Sequence, residues 1–164
     1  MPGHQAQAIA NEFIKLWKQE HPGINPNQTW LQKMVHIANG WNLAVNEQPL
    51  VNQPPEAWDN GPVFRSIWNH IRDWGYNAGG LLGYAGTNKV YAADISDSER
   101  AVINHVWKRY GQMSGRDLSR LTHEADTPWT RAYVGQGQNA RLDEHDIRDH
   151  YIKLAMAGRA QAAH

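Results

Sequence analysis

Apolar positions recur at helical spacing along most of the chain. Ile9, Phe13, Leu16 and Trp17 form one stripe, with Asn11, Glu12, Lys15 and Lys18 falling elsewhere. This predicts an amphipathic helix that His21-Pro22-Gly23 stops. Asn25-Pro26-Asn27 offers cap chemistry for a second helix, whose stripe is Leu31, Met34, Val35, Ala38, Trp41 and Val45. Asn46 to Pro55 holds three prolines and cannot continue it. Glu56-Ala57-Trp58 reads as extended and leads into an Asn60-Gly61-Pro62 turn near a helix start. The next helix is expected to carry Val63, Ile67, Ile71 and Trp74 on one face, with Phe64 and Trp68 beside it. Gly75 to Gly86 fits no period and reads as a loop, and Lys89 to Ala92 as a short strand.

Ser96-Asp97-Ser98-Glu99 is a capping box. The helix it opens carries Val102, Ile103, Val106, Trp107 and Tyr110, and Gly111 closes it. Ser114 can cap a further helix, with Leu118 and Leu121 inward. Pro128-Trp129 follows a short polar stretch. Asp143 opens the last helix, which turns Ile147, Tyr151 and Leu154 inward. The fold class is mainly α: a single compact helical domain of about six helices with a minor short β element. The domain is expected over residues 6–155, after a disordered N-terminus (1–5) and before a flexible C-terminal tail (156–164).

Composition narrows the function. Lys+Arg and Asp+Glu are both 16 among 164 residues. Zero net charge disfavours nucleic acid or an anionic membrane as a partner held by bulk electrostatics. Without cysteine there is no disulfide, thiolate metal site or thiol nucleophile. No apolar run approaches the ~18 residues of a membrane span, and no signal peptide is visible. The expected compartment is the cytoplasm.

Nine His and eight Trp stand out against two Phe. No His-Glu-x-x-His motif is present, and the Asp143-Glu144-His145-Asp146 cluster with Asp149 and His150 reads as a solvated helix start. His123 beside Glu124 and Asp126 suggests a general base for a His- or metal-dependent hydrolase. No nucleophile frame accompanies it, and helix capping is the simpler role. Arg116 and Arg120 share a helix face and could touch phosphates, but Asp117 sits between them. No catalytic residue, metal ligand or cofactor is expected. Of the Trp residues, Trp17, Trp41, Trp74 and Trp107 lie on apolar helix faces and read as core. Trp30, Trp58 and Trp129 sit at element ends, where a ring is less enclosed, and are the better candidates for contact with a partner.

Several stretches in order resemble the Panacea antitoxin domain, the SocA-like family of bacterial and phage proteins. They are Ile9-Ala10-Asn11-Glu12-Phe13-Ile14; Leu31-Gln32-Lys33-Met34-Val35 through Gly40-Trp41; Pro49-Leu50 with Glu56-Ala57-Trp58 and Gly61-Pro62-Val63; and Leu118-Ser119, Leu121-Thr122-His123 and Pro128-Trp129. Asn42 departs from the family's usual His, Asp59-Asn60 from its basic-aromatic pair, and Gly79 to Gly86 from its connector. The resemblance implies an antitoxin, with no enzymatic activity, that binds and neutralises a cognate protein toxin. It also implies an alternative in which the protein is an adaptor delivering a client to a Clp-type protease, or a phage-encoded modulator of host toxin systems. Trp30, Trp58, Gly61, Pro62, His123 and Trp129 are the candidate partner-binding residues. Homo-oligomer formation is left open.

Overall fold

The computed structural model describes the backbone of residues 3–162 and the side chains of residues 3–158. Seven helices and one short hairpin follow in the order α1 (Ala6–Glu20), α2 (Gln28–Asn46), β1 (Glu56–Trp58), β2 (Gly61–Val63), α3 (Arg65–Trp74), α4 (Asp97–Tyr110), α5 (Gly115–Thr122), α6 (Pro128–Gln136) and α7 (Glu144–Ala162). The mainly α architecture is the expected one, with one helix more than the sequence suggested. The additional element is α6, where Thr127 caps the Thr130 amide and Pro128 occupies the first turn. A proline there costs no hydrogen bond, because that amide has no partner in a helix.

Helix α2 is the axis. It packs against α1, α4, α5, α7 and β2, so Trp30 to Leu43 is buried without interruption. Its polar side is therefore buried as well, and buried polar groups need partners. Gln32 exchanges two hydrogen bonds with the Phe64 backbone, at 2.9 and 3.2 Å. The Asn39 side chain accepts from the amides of Leu50 and Val51 at 2.9 and 3.1 Å. Asn42 donates to the Gln48 carbonyl at 2.8 Å. The polar stripe of α2 thus holds the non-helical segment 48–64 against the core. Asn11 of α1 does the same for the glycine-rich loop: fully buried, it pairs with both Leu82 backbone groups and the Tyr91 carbonyl at 2.8 Å.

Several boundaries match the expected cap chemistry. Asn27 caps α2, Ser96 and Glu99 form the capping box of α4, and Ser114 caps α5. The Asp143 carboxylate accepts from the Asp146 amide at 3.0 Å where α7 begins. Other expectations are corrected. Pro62 lies in β2 rather than at a helix start, and Val63 is a strand residue. Lys89 to Ala92 makes one isolated bridge, Val90 to Gly83, and no strand. Trp74, expected in the core, is 64% exposed at the end of α3. His4 is bridged to Val51, and its ring meets Glu99 at 2.9 Å. The segment after Met156 is helical to Ala162; the ends of the expected disordered N-terminus (residues 1–2) and flexible tail (163–164) lie outside the described residues. Among the described residues, no helix is long and apolar enough to cross a membrane.

Candidate partner-binding site

The hairpin β1–β2 turns through Asp59-Asn60, with Trp58 opposite Gly61. Three-residue strands cannot stand alone, because a two-stranded hairpin is marginal in water. Each side of this one is fixed from elsewhere. The outer edge of β1 pairs with the segment before α7: Ala57 bonds Ala140 and Asn139 at 2.7 Å. The turn is held by α5 and α6. Ser119 donates its hydroxyl to the Asn60 carbonyl, Tyr133 donates to Asp59 at 2.7 Å, and the Trp129 indole donates to the Trp58 carbonyl at 2.6 Å. From beneath, the buried Lys33 ammonium donates to the Pro62 carbonyl at 2.8 Å. Burial alone pushes the Lys33 pKa down to about 7.

Gly61 is required where it stands. Its φ is +116°, and an added Cβ would lie 3.0 Å from Lys33 Cε and 3.2 Å from the Thr122 hydroxyl. A side chain there would both strain the backbone and lift the hairpin from α2.

The outer surface of the hairpin is aromatic and charged. Trp58 and Trp68 meet edge to face at 5.3 Å. The Arg65 guanidinium lies 5.2 Å over Trp58, and that of Arg72 lies 4.8 Å over Trp68. Glu56 accepts two bonds from Arg65, at 2.8 and 3.0 Å, which hold its carboxyl below the usual carboxylate range. Each ring therefore has a cation over one face, an arrangement suited to an anchor at a protein interface.

Five of the six candidate residues gather here. Trp58 is half-buried on the outer face, Gly61 and Pro62 lie buried beneath it, and His123 and Trp129 flank it, their rings 5.3 Å apart. Trp30 does not join them. It is 2% exposed, donates to the Gly111 carbonyl at 3.2 Å, and packs against Trp17 and Trp107. Sequence reasoning missed Gln32, Lys33, Ser119 and Thr122, which support the hairpin from inside. The signal was their place in the Leu-Gln-Lys, Leu-Ser and Leu-Thr-His blocks.

The hydrolase candidates do not converge. The His123 Nδ1–H donates to the Ser119 carbonyl, and Asp126 pairs with Arg131 at 3.2 Å. The Glu124 carbonyl accepts from the Thr127 and Thr130 hydroxyls, closing the turn before α6. Among the described residues no group of three or more His, Asp or Glu is placed to hold a metal ion.

The blocks that build the hairpin and its supports fall within one family's boundaries: the domain model described as antitoxin SocA-like, Panacea domain, matches residues 31–130. The chain belongs to this family. The matched span runs from the start of α2 through the hairpin to the first turn of α6, so it contains every side chain that clamps β1–β2 except Tyr133. A curated relative, antitoxin SocA of Caulobacter vibrioides, is 27% identical over 149 residues, covering 84% of this chain and 74% of the relative. No solved structure matches the chain significantly. In this Panacea domain, side chains from the Leu-Gln-Lys, Leu-Ser and Pro-Trp blocks hold the hairpin formed by the Glu-Ala-Trp and Gly-Pro-Val block.

Proposed function

We propose that this protein is an antitoxin that neutralises a protein toxin by direct contact, and that the hairpin face is the contact surface. One observation supports this reading above others: side chains from two of the family's blocks, Lys33 of one and Ser119 and Trp129 of the other, fix a short hairpin carrying Trp58 on a helical body. A rigid, pre-shaped aromatic surface loses little entropy on binding. Trp58, half-buried with a guanidinium over its face, has the character of an interface anchor. The toxin is blocked by being covered, and the side chains of this chain make or break no covalent bond. The relative's name, antitoxin, supports the same role.

The test is co-expression with the polypeptide encoded beside it, scoring growth and co-purification. The wild-type chain restores growth and co-purifies. Trp58→Ala keeps its circular dichroism and melting temperature but loses more than tenfold in affinity, since a buried aromatic anchor carries ~2 kcal/mol. A wild-type chain that neither rescues nor binds its neighbour contradicts the reading.

A further inference from the structure

Resting on that reading, we infer that the hairpin face recognises a short acidic segment of its partner, seated in a cationic groove between the β1–β2 turn and α5. The groove has two parts with a shared wall. One part, about 560 Å³, is lined by Thr29, Asn60, Arg116, Ser119, Arg120 and His123. The adjoining part, about 320 Å³, shares Thr29 and Asn60 and reaches Lys33, Trp58 and Trp68. In a chain of zero net charge, this surface gathers Lys33, Arg116 and Arg120 with His123, against one lining carboxylate, Asp59.

The two arginines are available. Arg116 makes no ion pair among the described residues, and Arg120 reaches Asp117 only at 3.8 Å, with both side chains more than half exposed. That contact is worth little in water. Lys33, which lines the inner wall beside Trp58, is buried and committed to the Pro62 carbonyl, so the accessible charge is that of the two arginines. The Asp59 carboxylate is already engaged by Tyr133. Two helix starts, Thr29 of α2 and Gly115-Arg116 of α5, also open onto the groove, and their positive ends add to its potential.

The borders of the groove select the partner. Asp59 lines the part next to Trp58, and Asp117 and Glu124 neighbour Arg116 and His123 in the chain. A continuous polyanion would run onto these carboxylates. One face of Trp58 and one of Trp68 are already taken by Arg65 and Arg72, which leaves fewer faces for stacked bases. An acidic peptide loop suits the surface better than nucleic acid does.

The experiment uses the full chain and two probes. The first is a fluorescein-labelled peptide of alternating Asp, Glu and Phe, compared by anisotropy with its Asn/Gln counterpart and with a 20-base single-stranded DNA. The second is the polypeptide encoded by the adjacent reading frame. The acidic peptide should bind, weaken at least tenfold between 50 and 300 mM salt, and be lost in Arg116→Glu/Arg120→Glu with the melting temperature unchanged. The same variant should lose at least tenfold in affinity for the adjacent polypeptide. If the neutral peptide binds equally, or the DNA binds more tightly and loses that binding in the same variant, the acidic-segment assignment is overturned. If the adjacent polypeptide binds wild type and charge-reversed variant alike, the acidic segment is wrong while the antitoxin reading stands. If it binds neither and the peptide result holds, the antitoxin reading fails and the groove's preference remains.

Discussion

Lys33 donates to the Pro62 carbonyl at 2.8 Å from a side chain that is 2% exposed. A lysine at that depth is a costly support for a hairpin, because the ammonium loses its hydration and gains one acceptor. The pairing joins the central helix to the outward strand and couples the stability of the fold to the shape of its candidate binding face.

The Lys33 pKa falls from 10.5 to about 7 on folding. Between those values the unfolded chain binds more protons than the folded one. Stability should therefore rise as pH increases from 7 toward 10.5 and be lost as pH falls back toward 7. From pH 7 to 9 the gain from this group is on the order of 2 kcal/mol. Urea unfolding of wild type and Lys33→Met at both pH values checks it: the difference between the two proteins should change by about that amount. A difference that does not vary with pH would mean that Lys33 reaches water in the folded state.

His36 lies on the same helix, completely enclosed, with Nδ1 lacking a partner among the described residues. Burial first, then the charges of Lys33 and His150, push its pKa from 6.5 down to about 3. The unfolded chain takes the proton first on acidification, so stability present above pH 6.5 is lost as pH falls toward 3. The loss should reach a few kcal/mol by pH 4. Chemical denaturation of His36→Leu at pH 6.5 and 4.5 should show a much shallower acid decline than wild type.

Gly40 sits where α2 crosses α7. A Cβ there would lie 2.2 Å from the ring of Tyr151, a contact no rotamer of a buried ring can absorb cheaply. Gly40→Ala should lower stability by ~1–3 kcal/mol, the usual cost of overpacking. Adding Tyr151→Leu should recover part of that loss, so that the two substitutions are non-additive in a double-mutant cycle. Thermal melts of the four proteins make the comparison. Full additivity would mean that the two helices shift apart instead.

The helices were legible because their stripes and caps are local. Ser96 with Glu99, Ser114 and Asn27 state where a helix begins, and each does so in the structure. What was not legible depends on neighbours distant in the chain. The stripe of α2 reads as one apolar face, yet Gln32, Lys33, His36, Asn39 and Asn42 are buried too. A lone lysine or asparagine on a helix looks solvated until the segment that covers it is known. Trp30 looked open because it begins a helix; the corner between α4 and α5 encloses it, and the Gly111 carbonyl accepts from its indole N–H. Trp74 shows the reverse: the period assigned it to a buried face, but α3 ends there and the residue is left mostly exposed. The candidate site was half visible. The sequence named Trp58, Gly61, Pro62, His123 and Trp129 but not that they meet at one turn. Their convergence comes from long-range bonds such as that from the Trp129 indole to the Trp58 carbonyl, which spans 71 residues and leaves no periodic trace.

On the proposed function, the partner sits on the hairpin face. Hydroxyl-radical footprinting of the chain, alone and mixed with the polypeptide encoded beside it, reads this directly. Both Trp58 and Trp68 should lose most of their oxidation in the complex, while the exposed Met156 of α7 keeps its own. Undiminished oxidation of both tryptophans in a verified complex, with Met156 protected instead, would contradict it.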